Sequence, residues 1–281
     1  MSGHNVEAER PGWRALMERR ISGGERGVPW NLVGKLGCRE FCRVIGAPTV
    51  PLLALAASTD EIPFDTLPAS FVIKSSASSS GKNALLVERS EPGRYIDLRT
   101  GTVLSVADIR DRVTEWLDGP PAPRRILLVE ERVPDVWGGP VPHDYKAYAF
   151  QGHVELVLEI NRNHRPPHVT WFNGDFEPLP PGSVDSRERY VTPVLRERPP
   201  FADHLLQLAR RVSSAVPSPF VSVDMYWSGN HALVGELTLT PGGLYYGEHY
   251  VLSEAQDLRM GQLWEDARKQ LQPLLPPRRG S

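Results

Sequence analysis

The sequence has only two cysteines among 281 residues, so a scaffold held together by several disulfides is excluded. It lacks any apolar run close to the ~20 residues that a membrane-spanning helix needs. Its net charge is −2, which gives no reason to expect a nucleic acid or a membrane surface as partner. The first residues carry no signal-peptide pattern. Together these absences predict a cytoplasmic globular protein.

The two cysteines also lack the partners of a zinc site. Cys38 and Cys42 are four residues apart, so they share one face of a predicted helix. A structural zinc site needs four ligands, and no further cysteine or histidine pair lies nearby in the sequence. Buried thiols are therefore expected rather than a metal or redox site.

A lysine, Lys74, ends an apolar strand and precedes a serine- and glycine-rich loop that lacks the signature of a P-loop. That motif needs a glycine at position 76 and a serine or threonine at position 83, where this chain has Ser76 and Asn83. Residues 84–87 read as a second strand, whereas a P-loop leads into a helix. The stretch predicts a hairpin, with a tip that either covers phosphates or is an ordinary solvent loop.

Hydrophobic periodicity predicts a mixture of helices and strands along the chain. Residues 1–69 are expected to be a mobile leader and a short helix near 35–45. Residues 70–135 form a unit of strands and one helix, which Ser105 and Asp108 cap. Residues 136–275 form a second unit of two hairpins and two helices. Within it, residues 163–200 read as a long irregular insertion.

The last predicted hairpin holds the most informative pair of side chains. Strand alternation places Asp224 and Glu236 on one face, with Leu233 and Leu237 on the other. With a turn near Gly229, the carboxylates fall opposite or diagonal to each other, within ~5–8 Å. Such a pair suits Mg²⁺, which takes one or two carboxylates together with substrate phosphates. The alternative is a polar sheet face turned to solvent.

The order of these features resembles that of the ATP-grasp superfamily, and the individual sequence motifs resemble those of its TupA-like branch, related to teichuronopeptide biosynthesis. The matching runs are FVIK at 71–74, DYK at 144–146, NR at 161–162, VDMY at 223–226 and GELTLTPGG at 235–243. The resemblance covers roughly residues 31–265. It implies an α+β fold with two lobes, each with an antiparallel sheet and helices, that clamp ATP between them.

The resemblance also implies roles for single side chains. ATP would be bound by Lys74, by a phosphate-covering lid of Ser79, Ser80, Gly81 and Lys82, and by Glu130, Glu131, Val133 and Asp135 around adenine and ribose. The catalytic groups, facing the γ-phosphate and the acyl phosphate, would be Lys146 and Arg162. The ligands of Mg²⁺ would be Asp224, Glu236 and Thr238.

The activity implied is an ATP-dependent carboxylate–amine ligase that joins small-molecule substrates through an acyl phosphate. A phosphotransferase and a non-catalytic nucleotide-binding module stay open as alternatives. Two departures from the pattern matter. TupA-like sequences usually carry an arginine where this chain has Ser222. Only residues 1–73 precede Lys74, so residues 163–200 or a partner, such as a second copy of the chain, are expected to build the acceptor site.

Overall fold

The structure, a computed structural model, describes residues 10–76, 83–117 and 125–272. Within these ranges the α-helices are α1 Trp13–Ile21, α2 Lys35–Val44, α3 Val106–Thr114, α4 Ala202–Ala215, α5 Gly242–Tyr245 and α6 Glu254–Leu271. The strands are β1 Leu52–Ala56, β2 Ser70–Ser75, β3 Ala84–Glu91, β4 Arg94–Asp97, β5 Val103–Ser105, β6 Leu127–Glu131, β7 Asp144–Phe150, β8 His153–Asn161, β9 His168–Asn173, β10 Val184–Ser186, β11 Thr192–Pro193, β12 Val221–Trp227, β13 Ala232–Thr238 and β14 Tyr250–Leu252.

The first sheet has the strand order β1-β6-β2-β3-β4-β5, and all of its pairings are antiparallel. One face packs Phe71 and Ile73 against Ile109 and Val113 of α3. Because side chains alternate along β2, Lys74 projects to the opposite face. The predicted capping box at the start of α3 is confirmed, since Ser105 and Asp108 bond reciprocally.

The second sheet has the order β11-β9-β8-β7-β12-β13, antiparallel except for the pairing of β11 with β9. Helix α4 packs its apolar side, including Leu205 and Val212, against one face. Part of the other face packs against α1 and α6 through Trp13 and Trp264. The predicted fold class, α+β with two largely antiparallel sheets and flanking helices, is confirmed.

Two expectations about irregular segments are corrected. Residues 163–200 contain β9, which lies inside the second sheet between β8 and β11, and β10, which pairs with β14. The many prolines of this segment sit around the strands and obscured a buried run, residues 169–172. Within residues 1–69, β1 pairs with β6 at the edge of the first sheet, and Trp13 in the expected mobile leader is fully buried.

Arg20 of α1 is hydrogen-bonded to the backbone just before β12 and just after β13. Its guanidinium is 1% exposed and donates to the carbonyl oxygens of Phe220 and Leu239, at 3.1 and 3.0 Å. It also lies 4.1 Å from the Trp264 ring centroid, within cation–π range. The end of β13, just before residues 240–243, is thus fixed by a buried, hydrogen-bonded charge.

The thiols of Cys38 and Cys42 are buried and free on α2, as predicted. Helix α2 packs against β13, so the two small side chains allow a close approach to the sheet. No helix in the described part of the chain is long and apolar enough to cross a membrane.

We expect Glu155→Gln to lower the free energy of unfolding at pH 7 by about 1 kcal/mol. Burial alone would raise the pKa of Glu155, but hydrogen bonds from His153, Arg259 and Gln256 outweigh it and lower the pKa to about 2. A depressed pKa stabilises the fold above the ordinary value near 4.3, and this contribution fades as pH falls toward 2. The parent–variant difference, measured by urea unfolding, should therefore be smaller at pH 4 than at pH 7.

Glu188→Gln is the matched control, because Glu188 is exposed. It should leave the free energy of unfolding nearly unchanged at both pH values. A parent–variant difference at Glu155 that is the same at pH 7 and pH 4 would show that packing, not charge, causes the loss.

Candidate functional site

The register of three strands in the second sheet places charged side chains in one row. Lys146 of β7 pairs with Asp224 of β12, and Asp224 pairs with Glu236 of β13. Directly paired residues face the same side of a sheet, so the three side chains are neighbours. The predicted juxtaposition of Asp224 and Glu236 is confirmed. Their role as metal ligands stays a prediction.

A bulge at Gly235 breaks the alternation that the sequence pattern assumed. Asp224 pairs with Glu236, but the next residue of β12, Met225, pairs with Val234, so Gly235 is the extra residue. Beyond the bulge the side chains change sides, and Val234 instead of Leu233 packs into the core below α4. The expectation that Leu233 shares a face with Leu237 is therefore wrong.

The charged row continues into a compact network of ion pairs. Lys146 Nζ contacts Oδ2 of Asp224 and lies 3.0 Å from Oδ2 of Asp144. Arg162 Nη1 donates to the same Asp144 oxygen at 2.9 Å, and the Ser222 hydroxyl donates to Oδ1 of Asp224 at 3.1 Å. Ser222, which stands where the family pattern has arginine, thus orients the carboxylate.

Burial dominates the electrostatics of this network. It raises the pKa of Asp224 to about 6, with Lys146 opposing and with Asp144 and Glu236 adding to the rise. Burial would lower the pKa of Lys146, but its two carboxylate partners outweigh burial and raise it. Lys146 is therefore a fixed cation, whereas burial and two neighbouring carboxylates disfavour the charged form of Asp224, which a further cation would favour.

On the first sheet, Lys74 is held by a buried carboxylate. Its Nζ lies 2.5 Å from Oε2 of Glu130, which is 3% exposed. Arg39 of α2 donates to the other oxygen of Glu130 at 3.0 Å. Each oxygen of the Glu130 carboxylate is thus engaged by one cation, and the expected contact of Glu130 with adenine stays a prediction.

A cavity of about 690 Å³ lies between the two sheets. Nine of the side chains expected at the site line it: Lys74, Glu130, Glu131, Val133, Lys146, Arg162, Asp224, Glu236 and Thr238. Asp135 does not line it, because its carboxylate accepts from the amide of Gly139 at 2.7 Å and caps a turn. The proposed lid, Ser79, Ser80, Gly81 and Lys82, falls outside the described residues.

Sequence reasoning missed three basic residues that also line the cavity, which are Lys35, Arg99 and Arg132. Lys35 opens α2 and is 9% exposed, and burial lowers its pKa while Glu236 opposes that shift. Arg99 follows β4, and burial lowers its pKa, with Arg162 of the other sheet adding to the effect. Each is a single basic residue without a recognisable motif, so only the packing of α2 and the first sheet reveals it.

The donor set at Asp224 has the chemistry of a divalent-cation site. Two carboxylates and the Thr238 hydroxyl share the cavity face, and Oδ1 of Asp144 is buried without a hydrogen-bond partner. Lys146 takes one oxygen of Asp224, so a cation there would have to share that oxygen with the lysine. Among the described residues no group of three or more His, Cys, Asp and Glu is arranged to hold a metal. Mg²⁺ needs only one or two carboxylates when phosphates supply other ligands.

The model of one protein family, TupA-like ATP-grasp, matches residues 16–264. No curated protein matches the chain. The comparison with solved structures shows the fold. The D-alanine–D-alanine ligase of Bacillus anthracis complexed with ATP superposes with a TM-score of 0.52 at 13% identity, covering 97% of this chain and 79% of the ligase.

Two further similar structures are ATP-grasp proteins or ligases by name. A second structure of the same Bacillus anthracis ligase has a TM-score of 0.50 at 12% identity and covers 86% of this chain and 69% of that one. The ATP-grasp ligase PsnB with a minimal precursor has a TM-score of 0.48 at 12% identity, covering 91% of this chain and 68% of PsnB.

Gly235→Ala should lower the free energy of unfolding by about 1–3 kcal/mol, because the bulge leaves no room for a side chain. An ideal Cβ at this position would lie 2.6 Å from a ring carbon of Tyr226. Urea unfolding of the single variant, Tyr226→Leu and the double variant measures the coupling. The alanine should cost less when residue 226 is leucine. Equal costs in both backgrounds would mean that the ring is not the obstacle.

Proposed function

The chain belongs to the TupA-like ATP-grasp family, and we propose that it is an ATP-dependent carboxylate–amine ligase that works through an acyl phosphate. One observation carries the proposal. The row Lys146, Asp224 and Glu236 on the second sheet shares a single cavity with Lys74 on the first sheet. Such a cavity offers carboxylates for a divalent cation and lysines for a polyphosphate.

The proposed reaction has two steps. A carboxylate oxygen of the first substrate bonds to the γ-phosphorus of ATP, and the bond from that phosphorus to the bridging oxygen breaks, releasing ADP. The nitrogen of the amine then bonds to the acyl carbon, loses a proton, and phosphate leaves. The protein contributes positioning and charge compensation. Lys146 and Arg162 would compensate the negative charge on the transferring phosphoryl group and the acyl phosphate.

The nucleotide would lie against the first sheet. Lys74 would contact the α- and β-phosphates, oriented by Glu130, and Lys35, whose pKa responds to the charges of both Glu236 and Lys74, is a further cation in the cavity lining. Glu130, Glu131 and Val133 stay as the proposed adenine contacts. Ser79, Ser80, Gly81 and Lys82 remain the proposed phosphate cover. Asp135, the expected ribose contact, caps a turn with its carboxylate and does not line the cavity.

Asp224, Glu236 and Thr238 would hold Mg²⁺, which supplies charge neutralisation when bound. Burial, with Asp144 and Glu236 adding to it, raises the pKa of Asp224, and a bound cation would favour the charged form of this carboxylate, which supports the role. A phosphotransferase would use the same phosphate-binding groups, so the products decide between them. Released phosphate with ADP supports the ligase, whereas ADP with a stable phosphorylated product supports a phosphotransferase. Binding without turnover, across a mass-spectrometric screen of amino acids and cell extract, supports a binding module.

ATP with Mg²⁺ should raise the melting temperature of the parent, since a ligand of the folded state stabilises it by mass action. Lys74→Ala should weaken ATP binding, measured by calorimetry, through loss of a charge-assisted contact of about 1.5–3 kcal/mol. The structure adds a complication, because the variant leaves Glu130 paired with Arg39 alone.

Lys74→Ala/Glu130→Gln is therefore the matched variant, because it removes the lysine and the buried charge together. It should melt closer to the parent than Lys74→Ala does and bind ATP as weakly as the single variant. Parent-like affinity for ATP in the double variant would show that Lys74 does not touch the nucleotide. If millimolar ATP with Mg²⁺ does not shift the melting temperature of the parent, the whole proposal fails.

Asp224→Asn and Glu236→Gln should each abolish the Mg²⁺-dependent part of ATP binding, because each removes one carboxylate of the proposed cation site. Turnover should fall by at least about 100-fold, since the metal neutralises charge on the transferring phosphoryl group. The measurement is calorimetric ATP titration with and without Mg²⁺, followed by ADP release with the substrate that the screen identifies.

Asp111→Asn on the exposed side of α3 serves as the control and should leave both quantities at the parent value. Glu236→Gln is the cleaner variant, because Asp224→Asn also removes the partner of Lys146. If both variants keep Mg²⁺-dependent binding, the carboxylates are not metal ligands and the mechanism above fails.

A further inference from the structure

The cavity floor changes from charged to apolar across the second sheet. In the row that holds Glu236, Asp224 and Lys146, the next strand, β8, contributes Leu158. Two residues further along the same face comes Ile160, and both line the cavity. Arg162 follows at the same spacing, so it stands at the edge of this apolar floor.

The walls above this floor come from segments outside the central strands. Val191 and Tyr250 line the cavity beside Ile160 and belong to the same apolar cluster. Tyr190 and His249 close the rim, with ring centroids 5.0 Å apart and planes at 87°. We call Leu158, Ile160, Tyr190, Val191, His249 and Tyr250 the aromatic end of the cavity.

Of the five acidic residues that line the cavity, four lie away from the aromatic end, and the fifth, Asp144, pairs with Ile160 of β8. Glu130 and Glu131 belong to β6 of the first sheet, and Asp224 and Glu236 belong to β12 and β13, which β7 separates from β8. Asp144 is the acidic residue nearest to β8, and its Oδ2 is bonded to Lys146 and Arg162. The aromatic end therefore offers apolar contacts but no exposed carboxylate for a positively charged group.

Two arginines mark the boundary between the halves. Arg162 and Arg99 reach the cavity from opposite sheets, and both line it. Arg162 shares the cavity lining with Tyr250 of the aromatic end, and its charge opposes the rise that burial causes in the pKa of Tyr250. An anionic group at the boundary would meet a guanidinium, which binds carboxylates well.

We propose that the aromatic end receives the apolar or aromatic side group of the carboxylic acid substrate, whose carboxylate lies against Arg162. The inference rests on the proposed ligase function and names its substrate class: monocarboxylic acids with an aromatic or bulky apolar group. Di- and polycarboxylic acids fit poorly, because a second carboxylate would be desolvated among Leu158, Ile160 and Tyr250. The carboxylate is placed beside Lys146, where the transferred phosphoryl group is expected.

The probes are 3-phenylpropionate and glutarate, which place a ring or a second carboxylate at a similar distance from the first carboxylate. Each is titrated by calorimetry into the parent saturated with a non-hydrolysable ATP analogue and Mg²⁺. The apparent Kd of 3-phenylpropionate should be at least about tenfold lower than that of glutarate, since 1.4 kcal/mol of ring burial suffices for that ratio.

Two variants at the rim locate the effect. Tyr190→Ala should weaken 3-phenylpropionate binding at least about fivefold, because the phenyl group of the probe loses its contact with the Tyr190 ring. Tyr190→Phe keeps an aromatic ring at this position and should bind the probe like the parent. Neither variant should change the Kd of the ATP analogue. Tyr190 is 41% exposed, so both variants should fold, and their melting temperatures without ligand check this.

The outcomes separate the inference from the function beneath it. A parent that fails to bind the ATP analogue overturns the proposed function and the inference with it. A parent that binds the analogue but prefers glutarate, or whose preference for the ring survives Tyr190→Ala, overturns only the substrate class. Preference for 3-phenylpropionate that Tyr190→Ala removes and Tyr190→Phe keeps supports the inference.

Discussion

The contact of Lys146 with Asp224 is the interaction on which the rest of the cavity depends. Lys146 bridges Asp224 and Asp144, and Arg162 shares Asp144 with it. Breaking a buried ion pair leaves one charge without a partner and typically costs about 3–5 kcal/mol. The network also requires that β7, β8 and β12 keep their register. The same register places Glu236 beside Asp224 and brings the apolar floor up to Arg162.

The buried carboxylate of Glu130 connects helix α2 to the first sheet. Glu130 joins Lys74 of β2 with Arg39 of α2, and α2 itself packs on β13 of the second sheet. One helix therefore touches both sides of the cavity, and it also contributes Lys35 to the lining. Lys74 is held by Glu130 of β6, and Arg39 of α2 holds the other oxygen of that carboxylate, which makes α2 part of the site rather than a leader to it.

The sequence predicts those parts of the site that depend on local geometry. Asp224 and Glu236 could be paired from strand alternation and a turn, because a hairpin is local, whereas Lys146 and Arg162 needed the family resemblance. The bulge at Gly235 escaped prediction, since the close approach of the Tyr226 ring that favours glycine there lies across the strand pair. Lys35 escaped because it enters the cavity only through packing of distant segments. The strand β9 escaped because prolines on either side hid a short buried run.

The position of the apolar floor next to the charged half of the cavity bears on the choice between a ligase and a phosphotransferase. Leu158 and Ile160 are 1% and 7% exposed, so little water contacts this floor beside Arg162. A low local dielectric strengthens each charge contact, and exclusion of water protects a reactive intermediate from hydrolysis. A phosphotransferase that yields a stable phosphorylated product has less need of such protection, whereas an acyl phosphate must survive until the amine arrives. An apolar substrate group bound against Leu158 and Ile160 would displace the remaining water from this part of the cavity. Binding of the acid would thus itself exclude the water that could hydrolyse the acyl phosphate.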